Sequence, residues 1–257
     1  YIVKGADDVR QEHMVMQVMR RLKSIFEQAE LPIFLRPYDI LITSSDSGII
    51  ECINDGQSLD SIKKSHPDYT SLLNYYLEIH GQNFEEAQKN FTESLAGYSL
   101  LTYLLLIKDR HNANILFDSQ GHIIHIDFGF VISNSPGGVG FESAPFKLTA
   151  EMVELMGGPE SEMYFYFKAL LLKAIIALRK HTDSLILLVE SMMKDSKFPC
   201  FANAETGLAL LKERMNFNMI DHQCYLLVER LVDESYDNWR TNQYDSFQKL
   251  TNGILPQ

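Results

Sequence analysis

Two short motifs in this chain carry side chains that can bind a divalent cation and phosphate. The first is Asp109-Arg110-His111-Asn112-Ala113-Asn114, and the second is Asp127-Phe128-Gly129, thirteen residues after the end of the first. Carboxylate and amide oxygens are ligands that Mg²⁺ accepts, and an imidazole can take up a proton near neutral pH. This combination is suited to moving a phosphoryl group from one oxygen to another.

The spacing within the first motif narrows the chemistry. Protein kinases place a catalytic Asp five residues before a metal-binding Asn, with a second Asp further along the chain. Asp109, Asn114 and Asp127 repeat this order, but a histidine, His111, follows the Asp where protein kinases have it before. Each signal alone is weak, because Asp, Asn and His also form turns. Together, and at this interval, they favour a phosphotransferase over coincidence.

The residues between the motifs predict a β-hairpin. Residues 114–118 and 122–126 are β-favouring runs, and Ser119-Gln120-Gly121 between them is typical of a turn. An antiparallel pair brings its two open ends together, so we expect Asn114 to lie near Asp127. Two metal ligands would then share one site.

With their neighbours, both motifs resemble those of the phosphatidylinositol 3- and 4-kinases and the related large protein kinases. The similarity extends upstream to residues 3–12 and downstream to residues 145–149. Within this family the chain most resembles the catalytic domain of the type III phosphatidylinositol 4-kinases of the beta class. The segments that carry this finer resemblance are 135–142, 156–158, 198–201 and 244–248. The resemblance covers nearly the whole chain and implies an α+β, two-lobed kinase-like fold.

In that fold a small N-lobe with an antiparallel sheet precedes a larger, mainly helical C-lobe. We place the boundary near residue 55, which gives an N-lobe at 1–55 and a C-lobe at 56–257. The N-lobe pattern predicts a strand at 1–4, then a helix capped by Asp7 or Asp8 that ends near residue 29. Antiparallel strands are predicted at 38–42 and 48–53, and helices at 72–78, 84–107, 149–156, 160–180, 185–193, 204–215 and 221–235. No Gly-rich loop stands before Lys4, so we expect this N-lobe to be incomplete.

The resemblance also assigns residues to the nucleotide. Lys4 is expected to bind the phosphates of ATP and to pair with Glu12 on the helix that follows. The backbone from Glu51 to Ile53 is the expected hinge against the edge of the adenine. The expected apolar walls of this slot are Tyr38, Leu116 and Ile126. Taken singly, each apolar residue is as well explained by core packing, and a Lys–Glu pair by an ordinary surface contact.

The remaining roles concern the metal and the proton. Asp127 and Asn114 are the expected ligands of Mg²⁺, with Mn²⁺ as an alternative ion. Either His111 or Asp109 can accept the proton of the attacking hydroxyl. The resemblance to lipid kinases favours His111 as the base and Asp109 as its orienting partner, and the residues themselves leave the reverse open. Arg110 is expected to anchor the loop to a carbonyl or carboxylate.

Three functions compete for this site. The first is a lipid kinase acting on phosphatidylinositol, the second a phosphatidylinositol 3-kinase or a protein serine/threonine kinase of the same superfamily, and the third an inactive scaffold. The scaffold is disfavoured because the expected phosphate, metal and catalytic residues are all present. Resemblance at residues 146–149 and near the C-terminus favours the lipid.

The charge of the expected activation loop predicts which lipid is used. Residues 115–146 contain no Lys or Arg, whereas a headgroup with extra phosphates is normally bound by such side chains. We therefore expect unmodified phosphatidylinositol as the substrate, with Lys147 beside its single phosphate. The alternative is that Lys147 is an ordinary surface residue. The 4-hydroxyl as acceptor is implied by the resemblance alone.

Composition limits the partners. The net charge of −11 argues against nucleic acid and against simple electrostatic docking on anionic lipid. Three widely spaced cysteines fit neither a disulfide framework nor a zinc site, which favours a reducing compartment. The resemblance implies a cytoplasmic enzyme, peripheral on Golgi or other endomembranes, recruited by an adaptor or small GTPase that binds outside this chain.

A stripe of apolar residues at helical intervals lies near the C-terminus, with basic residues beside it. Its members are Tyr236, Trp239, Phe247, Leu250 and Ile254. Such a stripe either packs on the lobe as core or lies in a membrane interface with the tryptophan at headgroup depth. The pattern leaves both alternatives open.

Overall fold

The computed structural model of the chain describes residues 1–133, 144–193, 204–215 and 218–256. In these ranges the fold is mixed α and β, with many helices around two small antiparallel sheets. The predicted fold class is thereby confirmed. The resembling segments at 135–142 and 198–201 lie outside the described residues, as does part of the expected activation loop.

The first sheet has three strands in the order β1-β3-β2, all antiparallel. They are β1 (Ile2–Gly5), β2 (Ile40–Ser44) and β3 (Ser47–Ile50). Helix α1 (Arg10–Gln28) follows β1 and buries an apolar face that recurs every three to four residues. Of the two predicted capping residues, Asp8 accepts a hydrogen bond from the Arg10 amide at 3.1 Å, while Val9 occupies the cap position itself.

The second sheet contains the predicted hairpin. Its strands are β4 (Gln57–Ser58), β5 (Ile115–Phe117) and β6 (Ile123–His125), in the order β4-β5-β6. The carboxylate of Asp118 accepts hydrogen bonds from the amides of Gln120, at 3.0 Å, and His122, at 2.8 Å. These bonds close the turn, and Gly121 takes a left-handed φ of 88° that favours glycine.

The helices after residue 58 agree closely with the sequence pattern. They are α2 (Leu59–Ser65), α3 (Leu72–His80), α4 (Phe84–Leu105), α5 (Ala150–Leu155), α6 (Glu162–Leu178), α7 (Thr182–Met193), α8 (Ala204–Arg214), α9 (Asp221–Ser235) and α10 (Trp239–Asn252). Side chains of Ser58, Ser71, Thr149 and Ser161 accept hydrogen bonds from backbone amides in the first turns of α2, α3, α5 and α6. None of the described helices is long and apolar enough to cross a membrane.

The lobe boundary near residue 55 stays a prediction. The chain leaves the first sheet after Ile50 and enters the second at Gln57, which agrees with that position. Buried apolar side chains from both sheets nevertheless belong to one continuous core. The two parts therefore pack against each other rather than forming separate cores.

Helix α4 lies at the centre of the fold and is buried on most of its surface. It packs against α6 and β6, and Gly97 lets the segment at 33–35 approach its backbone closely. A Cβ atom at Gly97 would lie 2.7 Å from the Phe34 carbonyl oxygen and 2.9 Å from Cγ2 of Ile33. Because a backbone oxygen cannot rotate away, the position requires glycine.

Replacing Gly97 by alanine should therefore destabilise the protein, although alanine is favoured over glycine in a helix by about 1 kcal/mol. We expect a loss of about 1–3 kcal/mol from overpacking, measured by urea unfolding. Gly5→Ala is the matched control, because no atom lies within 4 Å of its added methyl group. A Gly97→Ala protein as stable as the wild type would contradict the packing described here.

Candidate active site

One cavity of about 200 Å³ lies between the first sheet, α1 and the hairpin. It brings together every residue that the sequence predicted for nucleotide and metal: Lys4, Glu12, Tyr38, Glu51, Ile53, Asn114, Leu116, Ile126 and Asp127. Ile2, Ile50 and Cys52 also line it and were not predicted. The alternating strand pattern could have indicated Ile2, which shares a strand face with Lys4. Ile50 lies opposite Ile2 in the β1–β3 pairing, which the strand pattern alone does not give.

Lys4 lies in this cavity beside carboxylates. Its Nζ is 3.8 Å from Oε2 of Glu12, the predicted partner, and 3.3 Å from Oδ2 of Asp7. Burial acts to lower the pKa of Lys4, but Glu12, Asp127 and Asp7 together outweigh it and hold the pKa above its ordinary value. The ammonium is therefore charged at neutral pH and can bind an anion.

Glu12 is held by a second group that the sequence did not indicate. The Tyr38 hydroxyl donates a short hydrogen bond to Oε1 of Glu12. Burial raises the pKa of Glu12 above its ordinary value, and the Tyr38 hydroxyl and Lys4 act in the opposite direction. Tyr38 thus lines the cavity, as predicted, and also orients the carboxylate that faces Lys4.

The expected hinge lies at the edge of β3, where the chain leaves the first sheet. The Glu51 amide donates to the Asp39 carbonyl at 2.8 Å, and the Glu51 carboxylate accepts from the Asp39 amide at 2.8 Å. These bonds extend the pairing of β2 and β3 by one residue. The Glu51 amide is thus engaged, and the Ile53 carbonyl accepts from the Gly56 amide at 3.3 Å, so a ligand would meet the other groups of the Glu51–Ile53 backbone.

Arg110 connects the first motif to the second through hydrogen bonds. Its guanidinium donates to the carbonyls of Ile126, at 2.8 Å, and Asp127, and its Nε donates to the Lys108 carbonyl at 3.1 Å. The predicted anchoring of the loop through Arg110 is therefore confirmed. Asp109 and Asp127 both take left-handed backbone conformations, with φ of 65° and 58°, which Asp tolerates better than most residues.

Helix α1 supplies a further contact to the second motif. The Gln11 amide nitrogen donates to the carbonyl of Phe128 at 3.0 Å and to that of Gly129 at 2.6 Å. Glu12, the next residue, faces Lys4. Neighbouring residues of one helix therefore position both Lys4 and the Asp-Phe-Gly turn. The only sequence signal for the role of Gln11 was a polar residue on an otherwise apolar helical face.

His111 and Asp109 lie side by side, with His111 Nε2 at 3.7 Å from Oδ1 of Asp109. The Asn114 side-chain nitrogen donates to the backbone carbonyl of Asp109 at 2.9 Å. Burial lowers the pKa of His111 below its ordinary value, although Asp109 acts to raise it. His111 is therefore neutral at pH 7, and its Nδ1 is buried without a hydrogen-bond partner among the described residues.

A side chain from α10 also contacts the first motif, residues 109–114, which we call the catalytic-loop motif. The Tyr244 hydroxyl donates a short hydrogen bond to Oδ1 of Asp109, the same oxygen that lies nearest to His111. Gln248 Nε2 in turn donates to the Tyr244 hydroxyl at 2.7 Å. This contact was not predicted, because it joins residues 135 positions apart and has no local sequence signal.

The prediction that Lys147 lies beside a lipid phosphate is wrong. Its ammonium is buried and lies 2.7 and 2.9 Å from the two carboxylate oxygens of Asp245 and 3.0 Å from Oδ1 of Asn112. Asp245 already balances the charge of this lysine. The alternative of a surface residue fails as well, because Lys147 is 5% exposed.

The donor groups at the hairpin fit a divalent cation that is shared with a phosphate ligand. Asn114 and Asp127 both line the cavity and offer an amide and a carboxylate oxygen, as Mg²⁺ prefers. Among the described residues, no three His, Cys, Asp or Glu side chains come close enough to hold a metal by themselves. A cation at this site would thus need further oxygens from a bound ligand or water, as Mg²⁺ does in nucleotide sites.

Comparisons with known proteins agree with this geometry. The sequence model described as "Phosphatidylinositol 3- and 4-kinase" matches residues 1–202. The chain is 50% identical over 261 residues to phosphatidylinositol 4-kinase beta 1 of Arabidopsis thaliana, which covers 99% of this chain and 23% of the plant protein. It therefore belongs to the phosphatidylinositol 3- and 4-kinase family.

Two further relatives come from distant organisms. Phosphatidylinositol 4-kinase of Dictyostelium discoideum is 49% identical over 98% of this chain and 22% of its own length. Phosphatidylinositol 4-kinase beta of Sorex araneus is 49% identical over 99% of this chain and 32% of its own length. The chain thus spans between a fifth and a third of these relatives.

The buried ion pair gives a prediction about stability. Lys147→Met should lower the free energy of unfolding by about 3–5 kcal/mol, because it leaves the Asp245 carboxylate buried without its cation. Urea unfolding measures the loss. Lys89→Met is the control, since Lys89 pairs with Glu93 at 3.8 Å on the surface, where such a contact is worth about 1 kcal/mol or less. Equal losses in the two variants would contradict the structural role of Lys147.

Proposed function

We propose that this chain is the catalytic part of a lipid kinase that transfers the γ-phosphate of ATP to the 4-hydroxyl of phosphatidylinositol. The observation that carries the proposal is the single cavity in which Lys4, Glu12, Asn114 and Asp127 all take part. Relatives about 50% identical to this chain, named phosphatidylinositol 4-kinases, support the choice of reaction and acceptor.

The apolar part of the cavity suits the base of ATP. Tyr38, Ile53, Leu116 and Ile126 would enclose the adenine, with the Glu51–Ile53 backbone along its polar edge. At about 200 Å³ the cavity is smaller than most ligand pockets, which are roughly 300–1,000 Å³. It would therefore hold the base, while the phosphates extend past Lys4 towards the hairpin.

The charged residues would then position the phosphates. Lys4, kept charged by Glu12, would bind the α- or β-phosphate. Asp127 and Asn114 would hold Mg²⁺, or Mn²⁺ in its place, and a bound divalent cation would neutralise charge on the phosphate oxygens. Arg110 and Gln11 fix the backbone on both sides of Asp127, which keeps its carboxylate in place during the reaction.

The His111–Asp109 pair would remove the proton from the lipid hydroxyl. His111 is neutral at pH 7 and can accept a proton, and the carboxylate of Asp109 at 3.7 Å can orient the ring and stabilise its charged form. The opposite assignment, with Asp109 as the base and His111 as its partner, involves the same two atoms, His111 Nε2 and Oδ1 of Asp109. We favour His111, because Oδ1 of Asp109 already accepts a hydrogen bond from Tyr244.

The charge around the acceptor favours phosphatidylinositol over its phosphorylated forms. Residues 115–146 carry no Lys or Arg, and Lys147 beyond them is engaged by Asp245. Each additional headgroup phosphate carries about one to two negative charges. This segment has no cation to balance them. The alternative, a phosphatidylinositol 3-kinase or a protein serine/threonine kinase of the family, would share the same nucleotide site.

The exposed face of α10 supports action at a membrane. Trp239, Phe247 and Leu250 are 65%, 56% and 87% exposed, whereas Ile254 is half-buried. These three exposed members of the stripe favour the membrane alternative over the core. Arg240 lies 5.2 Å from the Trp239 ring. An apolar helix face flanked by basic residues is typical of helices that lie in the lipid interface.

The net charge of −11 weakens attraction to anionic lipid. We therefore propose that an adaptor or small GTPase brings the protein to its membrane, where it would be a peripheral, cytoplasmic enzyme of the Golgi or other endomembranes. The residues that would bind such a partner are expected outside this chain, as the greater length of the relatives suggests.

Product analysis tests the proposed reaction. The protein, given ATP and vesicles containing either phosphatidylinositol or its 4,5-bisphosphate, should turn over phosphatidylinositol faster, because the acceptor segment lacks cations. Asp127→Asn should abolish turnover without changing the melting temperature, since a lost metal ligand affects charge and not packing. A 3-phosphate product would contradict the acceptor, and phosphopeptide without phospholipid product would contradict the lipid.

Fluorescence of Trp239, the single tryptophan of the chain, tests the membrane face. Vesicles of phosphatidylcholine and phosphatidylinositol should shift its emission to shorter wavelength, because the indole leaves water for the interface. Leu250→Glu should weaken the shift, and Leu187→Glu, at a leucine that is 64% exposed on α7, should leave it unchanged. No shift in the wild-type protein would contradict membrane contact by α10.

A further inference from the structure

We propose that Tyr244 is a positioning residue for the phosphoryl transfer, because its hydroxyl holds the Asp109 carboxylate in the orientation that serves His111. This inference rests on the proposed kinase function and adds a residue from α10 to the reaction. Tyr244 is 4% exposed, and its hydroxyl donates to Oδ1 of Asp109.

The need for such a group follows from the backbone at Asp109. Its φ of 65° is left-handed, a conformation that Asp adopts at a cost. The Asn114 amide holds the backbone carbonyl of Asp109 at 2.9 Å but does not direct the side chain. Tyr244 does direct the side chain, because it donates a charge-assisted hydrogen bond to Oδ1, the oxygen that lies 3.7 Å from His111 Nε2.

The hydroxyl is itself fixed by two more residues of the same helix face. Gln248 Nε2 donates to the Tyr244 hydroxyl at 2.7 Å, and Asn252 Nδ2 donates to Oε1 of Gln248 at 2.6 Å. Positions 244, 248 and 252 are four residues apart and so lie along one side of α10. The bond from Gln248 occupies an acceptor site of the hydroxyl, which directs its proton to Asp109 and strengthens it as a donor.

A second contact holds α10 in register with the catalytic-loop motif. Asp245, next to Tyr244, pairs with the buried Lys147, which also donates to Oδ1 of Asn112 at 3.0 Å. Asn112 Nδ2 donates in turn to the Leu255 carbonyl at 2.8 Å. The helix therefore contacts the motif directly at Asp109 and, through Lys147, is linked to Asn112, so its position sets the geometry of the proposed acid–base pair.

The test removes the hydroxyl and keeps the ring, with Tyr244→Phe made in the full-length protein. We expect kcat for phosphatidylinositol phosphorylation to fall about tenfold, while KM for ATP changes less than about twofold, because Tyr244 does not line the nucleotide cavity. Hydrogen exchange of the backbone at 108–114 should become faster. A kcat within twofold of the wild type, or a higher kcat, would overturn the proposal.

Tyr166→Phe is the matched control. Its hydroxyl also donates to a carboxylate, Oε1 of Glu93 at 2.7 Å, and links α6 to α4 away from the cavity. It should lose a comparable hydrogen bond and leave both kcat and the exchange at 108–114 unchanged. If Tyr166→Phe lowered kcat as much as Tyr244→Phe, the effect would be general destabilisation and the proposal would fail.

Gln248→Met separates positioning from packing and serves even if Tyr244→Phe does not fold. It leaves the tyrosine ring in place and removes the donor to its hydroxyl, so kcat should fall by a smaller factor. In the Tyr244→Phe background it should have no further effect, because Gln248 acts through the missing hydroxyl. A Gln248→Met kcat equal to that of the wild type would overturn the relay without the Tyr244→Phe variant, and so would independent, multiplying effects in the double variant.

The exchange measurement distinguishes this proposal from the proposed function. Wild-type protein that forms no phosphoinositide would overturn the kinase assignment and, with it, the role of Tyr244 in transfer. If the wild-type protein is active and Tyr244→Phe changes neither kcat nor the exchange at 108–114, only the positioning role fails.

Discussion

The geometry of the site depends on the hydrogen bonds of a single buried guanidinium. Arg110 is 3% exposed and donates to backbone carbonyls on both sides of the hairpin. Its charge is stabilised by these carbonyl dipoles and by the Phe128 ring, whose centroid lies 5.3 Å from Cζ. These bonds hold together two aspartates with left-handed backbones, Asp109 and Asp127, and are supported by the bonds from Tyr244 to Asp109 and from Gln11 to Phe128.

The parts of this fold that depend on neighbouring residues could be read from the sequence. Hairpin β5–β6 follows from two β-favouring runs and a Gly at a left-handed turn, and helix ends follow from capping side chains such as Ser71 and Ser161. The cavity residues were predicted because their motifs are contiguous and resemble those of a known family. Local patterns determine local geometry, and here that geometry brings Asn114 close to Asp127.

The errors concern contacts between distant residues. Lys147 stands between two apolar residues, Phe146 and Leu148, in the sequence, and nothing nearby reveals that Asp245 will bury its charge. Tyr244 belongs to segment 244–248, which carries part of the family resemblance. Its bond to Asp109 nevertheless depends on how α10 packs against the catalytic-loop motif. A pattern of single residues reports periodicity, whereas burial of a charge depends on partners that only the tertiary fold provides.

Helix α10 buries polar side chains and exposes some apolar ones. Its inward face carries Thr241, Tyr244, Asp245 and Gln248, and its outward face carries Trp239, Phe247 and Leu250 among polar residues. On the inward face, Tyr244 donates to Asp109, Asp245 pairs with Lys147, and Gln248 donates to the Tyr244 hydroxyl. Packing within the described residues does not cover these apolar side chains, and the proposed membrane contact would bury them.

The same helix has a consequence for how the protein is made. A chain grows from its N-terminus, and domains fold as the residues emerge. The Asp109 carboxylate can meet Tyr244 only after 135 further residues have been added. A nascent chain that has already formed the hairpin would still lack the hydrogen bond from Tyr244 to Asp109. If the proposed roles hold, nucleotide binding would therefore precede competence for transfer during biosynthesis.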